Sequence, residues 1–472
     1  MDDFIRSWIV RQLRGTRKWG LAALLLLSGF SAENALGDSL FVNRVGPGGA
    51  SLQSIIDEAR PGDVLIVPPG VHKGNIVLRE RLTLNGIGKP VLRGEGHGSV
   101  VTILADSCVI NGFIIEDSGT MLVDEDAGVL IKSDGNRIEQ NELNDVLFGI
   151  YLLGGQGNAI IRNTILGRPE LSLGERGSGI HLWNSRENRL VGNMITGVRD
   201  GIYIQNANHT WIEACEVRGV RYGLHYMYAD SNTFRWNSFQ GNIAGAAIMY
   251  SRDITMLHNV FANNRGFSSF GVLFQDCHRL IVDSNVVADN GVGMFLEAST
   301  DNTFRNNMIA RNDLALQMFQ NSTHNSFARN NFIDNLSPLS IVGKRTESLW
   351  SENGHGNYWS SYDGYDLDAD GIGDIPMKIQ NVFQFLEGRY PNVRLLLYSP
   401  ASQALSVAAK AFPVIAINEE EDGYPLMSPI PLGLPRNSPE APGPMVPTLS
   451  LVLLLGTVST GFVWLHIRLR KT

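Results

Sequence analysis

Cysteine is scarce in this chain, with only three residues among 472. Because none of the three forms a CxxC pair or another metal-ligand spacing, the sequence argues against a cysteine-based metal site and a disulfide framework. Basic residues are also in short supply, since 39 lysines and arginines stand against 47 acidic residues and the net charge is −8. An excess of acid argues against a nucleic-acid partner.

The central part of the chain also lacks helical periodicity and instead repeats every 22 residues or so. An asparagine returns once per repeat, and a cysteine fills the one gap: Asn141, Asn163, Asn193, Cys215, Asn237, Asn259, Asn285, Asn307 and Asn330. A glycine opens a short apolar strand in each repeat: Gly128, Gly149, Gly179, Gly201, Gly223, Gly245, Gly271 and Gly293, with Ala315 closing the series. Short strands at such a period are typical of a solenoid whose coils cover one another. We therefore predict an all-β fold, a right-handed parallel β-helix with an asparagine ladder along one corner.

The first part of the chain predicts an export signal and a cap. Five basic residues precede an apolar run at 21–27, and the small residues at 35–37 suit cleavage. We therefore predict a signal peptide over residues 1–37 and a periplasmic mature protein. Residues 51–60 have apolar side chains at helical spacing, with Ser51 placed as an N-cap. We expect this helix to cover the first coil of a β-helix that occupies residues 38–335.

The last part of the chain predicts a cap, a linker and a membrane anchor. The repeat breaks after Asn335, so residues 336–416 should form a C-terminal cap. Residues 417–445 are rich in acid and proline, which favours an extended linker. Residues 446–467 are apolar and precede a basic tail at 468–472, which predicts a transmembrane helix that anchors the periplasmic body to the inner membrane.

Two insertions at one corner of the repeat mark a candidate docking face. The spacing from ladder asparagine to the next glycine is usually eight residues, but it is sixteen after Asn163 and twelve after Asn259. Loops at about 164–178 and 260–270 should therefore project from one side. Strand alternation turns the second and fourth residues after each glycine outward, and this stripe is aromatic and apolar. We predict a solvent-facing docking face that includes His181, Trp183, Tyr203, Gln205, Leu273 and Phe295. The alternative is that the loops fold over the stripe and bury it.

Soft metal ligands lie on the same stripe. Met227 and Met249 hold equivalent positions in adjacent coils, and His225 lies two residues before Met227. Two thioethers and an imidazole suit Cu(I), so we predict a transient Cu(I) site at these three residues. Methionine packing without a metal is the alternative.

A run of alternating acids predicts a second cation site. Asp366, Asp368, Asp370 and Asp374 surround Gly371 in the manner of the first half of a calcium loop. Position 12 of such a loop would be Met377 rather than glutamate, so the loop is not a complete EF-hand. We expect a structural calcium-like ion here, and the alternative is an acidic turn held by backbone hydrogen bonds.

Carbohydrate chemistry is the alternative function, because many β-helices act on polysaccharides. The chain has two Gly-His-Gly tripeptides, at 96–98 and 354–356. Glycosidic cleavage needs two carboxylates across one cleft, but Asp230, Asp253 and Asp276 fall at different turn positions. We therefore predict no catalytic residue, and a polysaccharide-binding or polysaccharide-modifying β-helix stays as the alternative.

The stretch 356–376, with its Asn-Tyr-Trp-Ser and Asp-Gly-Ile-Gly-Asp segments, resembles the NosD family, as do residues 51–59 and 61–70. These are periplasmic β-helix accessory proteins of nitrous oxide reductase maturation. The resemblance implies a subunit of an ABC transporter, with a permease and an ATPase as partners. It further implies copper-site assembly in nitrous oxide reductase, a copper chaperone lipoprotein upstream, and copper or a sulfur species as the cargo.

Overall fold

The computed structural model describes residues 39–41, 51–266, 268–343, 346–379 and 420–431. The signal peptide predicted over 1–37, the transmembrane helix over 446–467 and the tail over 468–472 lie outside these residues. Among the described segments, no helix has both the length and the apolar character needed to cross a bilayer.

The described chain is an all-β parallel solenoid of about 13 coils, in which each full coil gives one strand to each of three sheets. Sheet 1 contains Ser39–Phe41, Val64–Val67, Thr83–Gly86, Val109–Asn111, Arg137–Glu139, Ala159–Ile161, Arg189–Val191, Trp211–Glu213, Thr233–Arg235, Thr255–Leu257, Ile281–Asp283, Thr303–Arg305 and Ser326–Ala328. Sheet 2 contains Ile76–Leu78, Val101–Ile103, Ala127–Ile131, Phe148–Leu153, Ser178–Trp183, Asp200–Gln205, Tyr222–Met227, Ala244–Arg252, Phe270–His278, Val292–Glu297, Leu314–Phe319 and Ser337–Val342. Sheet 3 contains Val71–Lys73, Val91–Arg93, Ile114–Glu116, Glu142–Asn144, Thr164–Leu166, Met194–Thr196, Glu216–Arg218, Ser238–Gln240, Val260–Ala262, Val286–Ala288, Met308–Ala310, Asn331–Ile333 and Tyr358–Trp359.

The core fills the inside of the coils, as strand alternation predicts. The first and third residues after the repeat glycines point inward, and Ile180, Leu182, Ile202 and Ile204 are fully buried. The glycines themselves are required by the close approach of neighbouring coils. A Cβ atom on Gly201 would lie 2.6 Å from the carbonyl oxygen of the glycine in the next coil.

The predicted asparagine ladder is confirmed. Each side-chain amide donates to the Oδ1 atom of the asparagine one coil further on, for example from Asn141 to Asn163 at 3.1 Å and from Asn307 to Asn330 at 2.9 Å. At the cysteine the rung is weaker, because the Asn193 amide meets the Cys215 Sγ atom at 3.8 Å. The ladder therefore ties successive coils together at a buried corner.

The predicted N-terminal cap is present as a short helix, Leu52–Glu58. Ser51 is its N-cap and accepts a hydrogen bond from the Ser54 backbone N–H at 3.1 Å. Gln53 pairs with both backbone groups of Val77, at 2.7 and 3.2 Å, in the terminal strand of sheet 2. This side chain occupies strand-edge groups that would otherwise be open to pairing with another chain.

The C-terminal end differs from the prediction in two ways. The coils continue past Asn335, since Ser337–Val342 and Tyr358–Trp359 join sheets 2 and 3. Residues 420–431, which we name the strap, are packed on the last coil, so the linker predicted over 417–445 is wrong for this part. Glu421–Asp422 pairs antiparallel with Met377–Lys378.

Two buried acids attach the strap to the last coil. Asp422 accepts hydrogen bonds from the Asn357 backbone N–H at 2.7 Å and the Trp359 indole at 2.9 Å, which ends the asparagine ladder. Glu420 accepts from the Trp350 indole at 2.9 Å. Both carboxyls are fully buried, and burial raises the pKa of Asp422. The acid-rich composition that suggested a linker thus includes two acids that cap the solenoid.

Candidate docking face and metal-ligand sites

Three loops project from the corner between sheet 3 and sheet 2. Two are the predicted insertions, which follow Thr164–Leu166 and Val260–Ala262. The third, residues 117–126, was missed because its coil has Phe113 where later coils have the ladder asparagine. Buried Arg168 joins the first two loops along the chain, since it donates to the Ser118 carbonyl at 2.7 Å and pairs with Asp145 at 2.6 Å.

The second residues after the repeat glycines form a column of rings on the outer face of sheet 2. Tyr151, His181, Tyr203 and His225 lie in register in successive strands. Neighbouring ring centroids along the column are 4.4, 4.3 and 4.6 Å apart. The regular stacking of the coils therefore converts one repeat position into a continuous aromatic row.

The predicted solvent exposure of this row is wrong for three of its four members, and the first of them, Tyr151, is 1% exposed. His181 is 8% exposed and Tyr203 is 9% exposed, because the rings cover one another and Phe148 packs against His181 at 5.7 Å. Burial lowers the pKa of His181 to about 3, so this imidazole is neutral. Neither of its ring nitrogens has a hydrogen-bond partner among the described residues.

The other predicted members of the docking face remain partly exposed. Trp183 is paired with Gln205 in the column of fourth residues after the glycines, and Leu273 is paired with Phe295 in the column of second residues. All four side chains are half-buried. The outer face of sheet 2 is therefore partly covered at its aromatic row and accessible along its second column.

The predicted Cu(I) ligands lie together on this face. Met227 and Met249 are paired residues of adjacent strands, and His225 is two residues before Met227 on the same side. All three side chains are half-buried. Gln205 and Gln275 continue the methionine column on either side. Two thioethers in register beside an imidazole form a donor set that suits Cu(I).

A buried acid that the sequence analysis missed lies next to His225. Asp200 is fully buried and accepts two hydrogen bonds from the Arg221 guanidinium, at 2.9 and 2.6 Å. Its Oδ2 atom is 3.1 Å from the His225 Nδ1 atom, and the Arg199 Nε atom is 3.6 Å away. Burial alone would raise the pKa of Asp200, but hydrogen bonds from His225 and Arg221 lower it to about 2.

A signal for Asp200 was present in the repeat. The position before each repeat glycine is uncharged in the other coils: Ala127, Phe148, Ser178, Tyr222, Ala244, Phe270, Val292 and Leu314. A single acid in such a column must find a specific partner, because an unpaired buried charge is very costly.

The acidic loop brings together three of its four predicted ligands. Oxygen atoms of Asp366, Asp368 and Asp370 lie within 4.8 Å of one another, and these residues could hold a cation. Asp374 is not part of this group, and its Oδ2 atom accepts the Leu367 backbone N–H of the same loop at 2.7 Å. A hydrogen bond from the Gly371 backbone lowers the pKa of Asp366, and repulsion from Asp370 raises that of Asp368. Backbone N–H groups thus stabilise one carboxylate of this loop, while the neighbouring carboxylates repel each other in the absence of a cation.

The acids considered for carbohydrate cleavage do not form a pair across a cleft. Each lies beside a basic partner: Asp230 with Arg252 at 3.5 Å, Asp253 with Arg279 at 2.7 Å and Asp276 with His278 at 3.1 Å. The first Gly-His-Gly tripeptide lines a depression of about 370 Å³ together with Asp124 and Asp126. Asp126 is 4% exposed and accepts the Met121 backbone N–H at 3.0 Å, so one of these two carboxyls is buried and engaged.

Comparison with known proteins gives matches in sequence and in structure. A family profile described as "Periplasmic copper-binding protein (NosD)" matches residues 167–364. A Pseudomonas aeruginosa protein named "Probable ABC transporter binding protein NosD" is 34% identical over 442 residues, which are 90% of this chain and 99% of that protein. A Stutzerimonas stutzeri protein of the same name is 34% identical over 378 residues, 76% of this chain and 86% of that protein.

Solved structures are similar to this chain at a greater distance. The periplasmic alginate epimerase AlgG is 13% identical, with a TM-score of 0.47 over 64% of this chain and 82% of that one, and this likeness carries no argument about function. The sequence identity, in contrast, extends along nearly the whole length of a relative. This chain belongs to the NosD family.

Proposed function

We propose that this protein is a periplasmic, non-catalytic accessory subunit that docks an ABC transporter, with its permease and ATPase. In this proposal it serves the delivery of copper, or of a sulfur species, for metal-centre assembly in nitrous oxide reductase. A copper chaperone lipoprotein would act upstream. The observation that supports it most is the outer face of sheet 2, where a row of aromatic rings lies beside two methionines in register.

A stacked solenoid suits a docking role because its side chains are held at fixed spacing on a rigid sheet. Repeat proteins use such extended faces to bind partners. Aromatic residues, methionine and arginine are enriched in protein interfaces. The half-buried Trp183 and Phe295 have this character, and the apolar Leu273 is paired with Phe295 in the adjacent strand. All three lie along the columns that contain the candidate metal ligands.

Copper enters the proposal as cargo. Thioether and imidazole ligands favour Cu(I) over the harder cations. The three buried cysteines do not compete for it, because burial raises the pKa of Cys215 to about 11 and that of Cys277 to about 12, and raises that of Cys108 as well. Thiols with such values stay protonated and bind metal poorly at neutral pH.

Capture of partners from membranes tests the docking role. The tagged full-length protein should retain the permease and the ATPase through detergent extraction. The double variant Trp183→Ala, Leu273→Ala should lower their recovery about tenfold or more, since truncation of a hot-spot residue at the centre of an interface costs about 2 kcal/mol or more.

The matched control changes Leu166 and Met194 to alanine. These side chains are 39% and 46% exposed on sheet 3, so the substitutions remove comparable apolar surface from another face. Equal recovery for both double variants would contradict docking through sheet 2. Recovery of an acidic polysaccharide in place of the transporter would favour the alternative function.

A further inference from the structure

We infer that Asp200 is a positioning residue that prepares His225 to bind metal through its Nε2 atom. The inference rests on the proposed Cu(I) site at His225, Met227 and Met249 and adds to it a residue that does not touch the metal. Three observations support it: the burial of Asp200, the contacts of its two oxygens, and the packing of the His225 ring.

The Asp200 carboxylate is itself held in one orientation. The Arg221 guanidinium donates from Nε to Oδ1 at 2.9 Å and from Nη2 to Oδ2 at 2.6 Å. Such a two-point contact fixes both the position and the plane of the carboxylate. It also supplies the opposite charge that a fully buried carboxylate requires.

The Asp200 contact determines which ring nitrogen of His225 carries the proton. The Oδ2 atom lies 3.1 Å from Nδ1, and an ionised carboxylate can only accept hydrogen bonds. The Nδ1 atom must therefore be the donor. In the neutral imidazole the lone pair is then on Nε2, which is the form that a metal ligand needs.

The ring of His225 is also held against rotation. Tyr203 and Tyr222 pack on it edge to face, with centroids 4.6 and 5.0 Å away. The Arg221 guanidinium lies over the Tyr222 ring, 4.6 Å from its centroid. The same guanidinium therefore contacts both the Asp200 carboxylate and a ring that packs on His225. A ligand whose second nitrogen donates to a fixed carboxylate is a recurring feature of metal-binding histidines, and it raises the basicity of the ligand.

The competing role for Asp200 is that of a structural ion pair. A similar but more exposed pair lies elsewhere on the solenoid: Asp289, 27% exposed, accepts from Arg311 in the next coil at 2.8 and 2.5 Å, and these bonds involve no histidine. If Asp200 acts only in folding, its removal should lower stability and leave the Cu(I) affinity of the folded protein unchanged, as the removal of Asp289 should.

Cu(I) titration of the full-length protein against a colorimetric Cu(I) chelator, under reducing conditions, separates the two roles. Asp200→Asn should weaken Cu(I) binding about 10- to 100-fold, the usual effect of losing an outer-shell partner. It should have no further effect in a His225→Ala background, because it acts through that ring. Asp289→Asn should leave the affinity unchanged.

An equal loss from Asp200→Asn in both backgrounds, or no loss in either, would overturn the inference. If His225→Ala weakens Cu(I) binding and Asp200→Asn does not, the inference about Asp200 is overturned but the proposed Cu(I) site stands. Unchanged affinity after His225→Ala would instead overturn the site itself and the inference with it. Should Asp200→Asn fail to fold, the ¹⁵N shifts of His225 in the unmodified protein decide, with the peak assigned by its loss in His225→Ala. An unprotonated Nε2 supports the inference, and a neutral ring protonated at Nε2 overturns it.

Discussion

Single positions of the repeat are restricted by how closely the coils approach one another. Gly201 shows this most directly, because an added Cβ would lie 2.6 Å from the Gly223 carbonyl oxygen and also meet the Val217 side chain. Glycine is used here for close approach and not for its backbone freedom. The regular glycine column in the sequence therefore reflects the short distance between neighbouring coils at this position.

Gly201→Ala should lower the free energy of unfolding by about 1–3 kcal/mol, the usual cost of inserting an atom into a well-packed region. Denaturant unfolding measures it. Gly174→Ala is the control, since a Cβ there meets no atom within 4 Å. Equal stability of the two variants would contradict this explanation of the column.

At the scale of elements, the strap shows how the open end of a solenoid is covered. Its two buried carboxyls accept the last N–H groups of the coil stack, including both the backbone and the side-chain N–H of Asn357. Coils interact only with their neighbours, so a defect at one end acts locally.

Asp422→Ala should loosen the last coil, because it leaves the Asn357 backbone N–H and the Trp359 indole N–H without their acceptor. Each such loss costs roughly 1–3 kcal/mol. Hydrogen exchange should therefore accelerate in Tyr358–Trp359 and stay unchanged in Ile76–Leu78 at the other end. Glu421→Ala, at the exposed neighbouring position, is the control and should leave both rates unchanged.

The pH dependence of the same end follows from the pKa of Asp422, which burial raises. A raised pKa means that the folded protein binds this proton more tightly than the unfolded chain does. The contribution of Asp422 is therefore most favourable below the ordinary carboxyl range, and stability is lost as the pH rises through its folded-state pKa. Exchange in Tyr358–Trp359 that slows with rising pH, after correction for the intrinsic rate, would contradict this sign.

The elements differ in how well the sequence predicts them. The coils follow from the period, because each repeat carries the same strand and turn residues. The strap does not, since Asp422 lies 65 residues after its partner Asn357 in a stretch whose acid and proline content suits a linker. Alternation predicted the outward direction of His181 and Tyr203, but their burial depends on ring-to-ring packing that no local pattern specifies. Asp200 was accessible to sequence reasoning only as the one charge in an uncharged column.

At the scale of the whole molecule, the solenoid has two capped ends and three loops along one corner. Among the described residues both ends of the solenoid are covered, and Asp126, Asp230, Asp253 and Asp276 each have a bonded partner. The outer face of sheet 2 is where aromatic side chains, soft ligands and a buried charge network meet. We therefore propose that partner binding and metal transfer share this one face of the solenoid.

The copper content of nitrous oxide reductase matured beside the triple variant His225→Ala, Met227→Ala, Met249→Ala tests this claim most directly. Met227 and Met249 are half-buried and outward, but His225 is 12% exposed and bonds to buried Asp200, so the variant should melt at a lower temperature and is assayed below that transition. Tyr151 lies on the same stripe but is 1% exposed, so its removal would disturb packing; the control is therefore the exposed Met194→Ala on sheet 3. We expect the reductase to lose most of its copper with the triple variant and none with the control. Full copper loading with a folded triple variant would contradict the account.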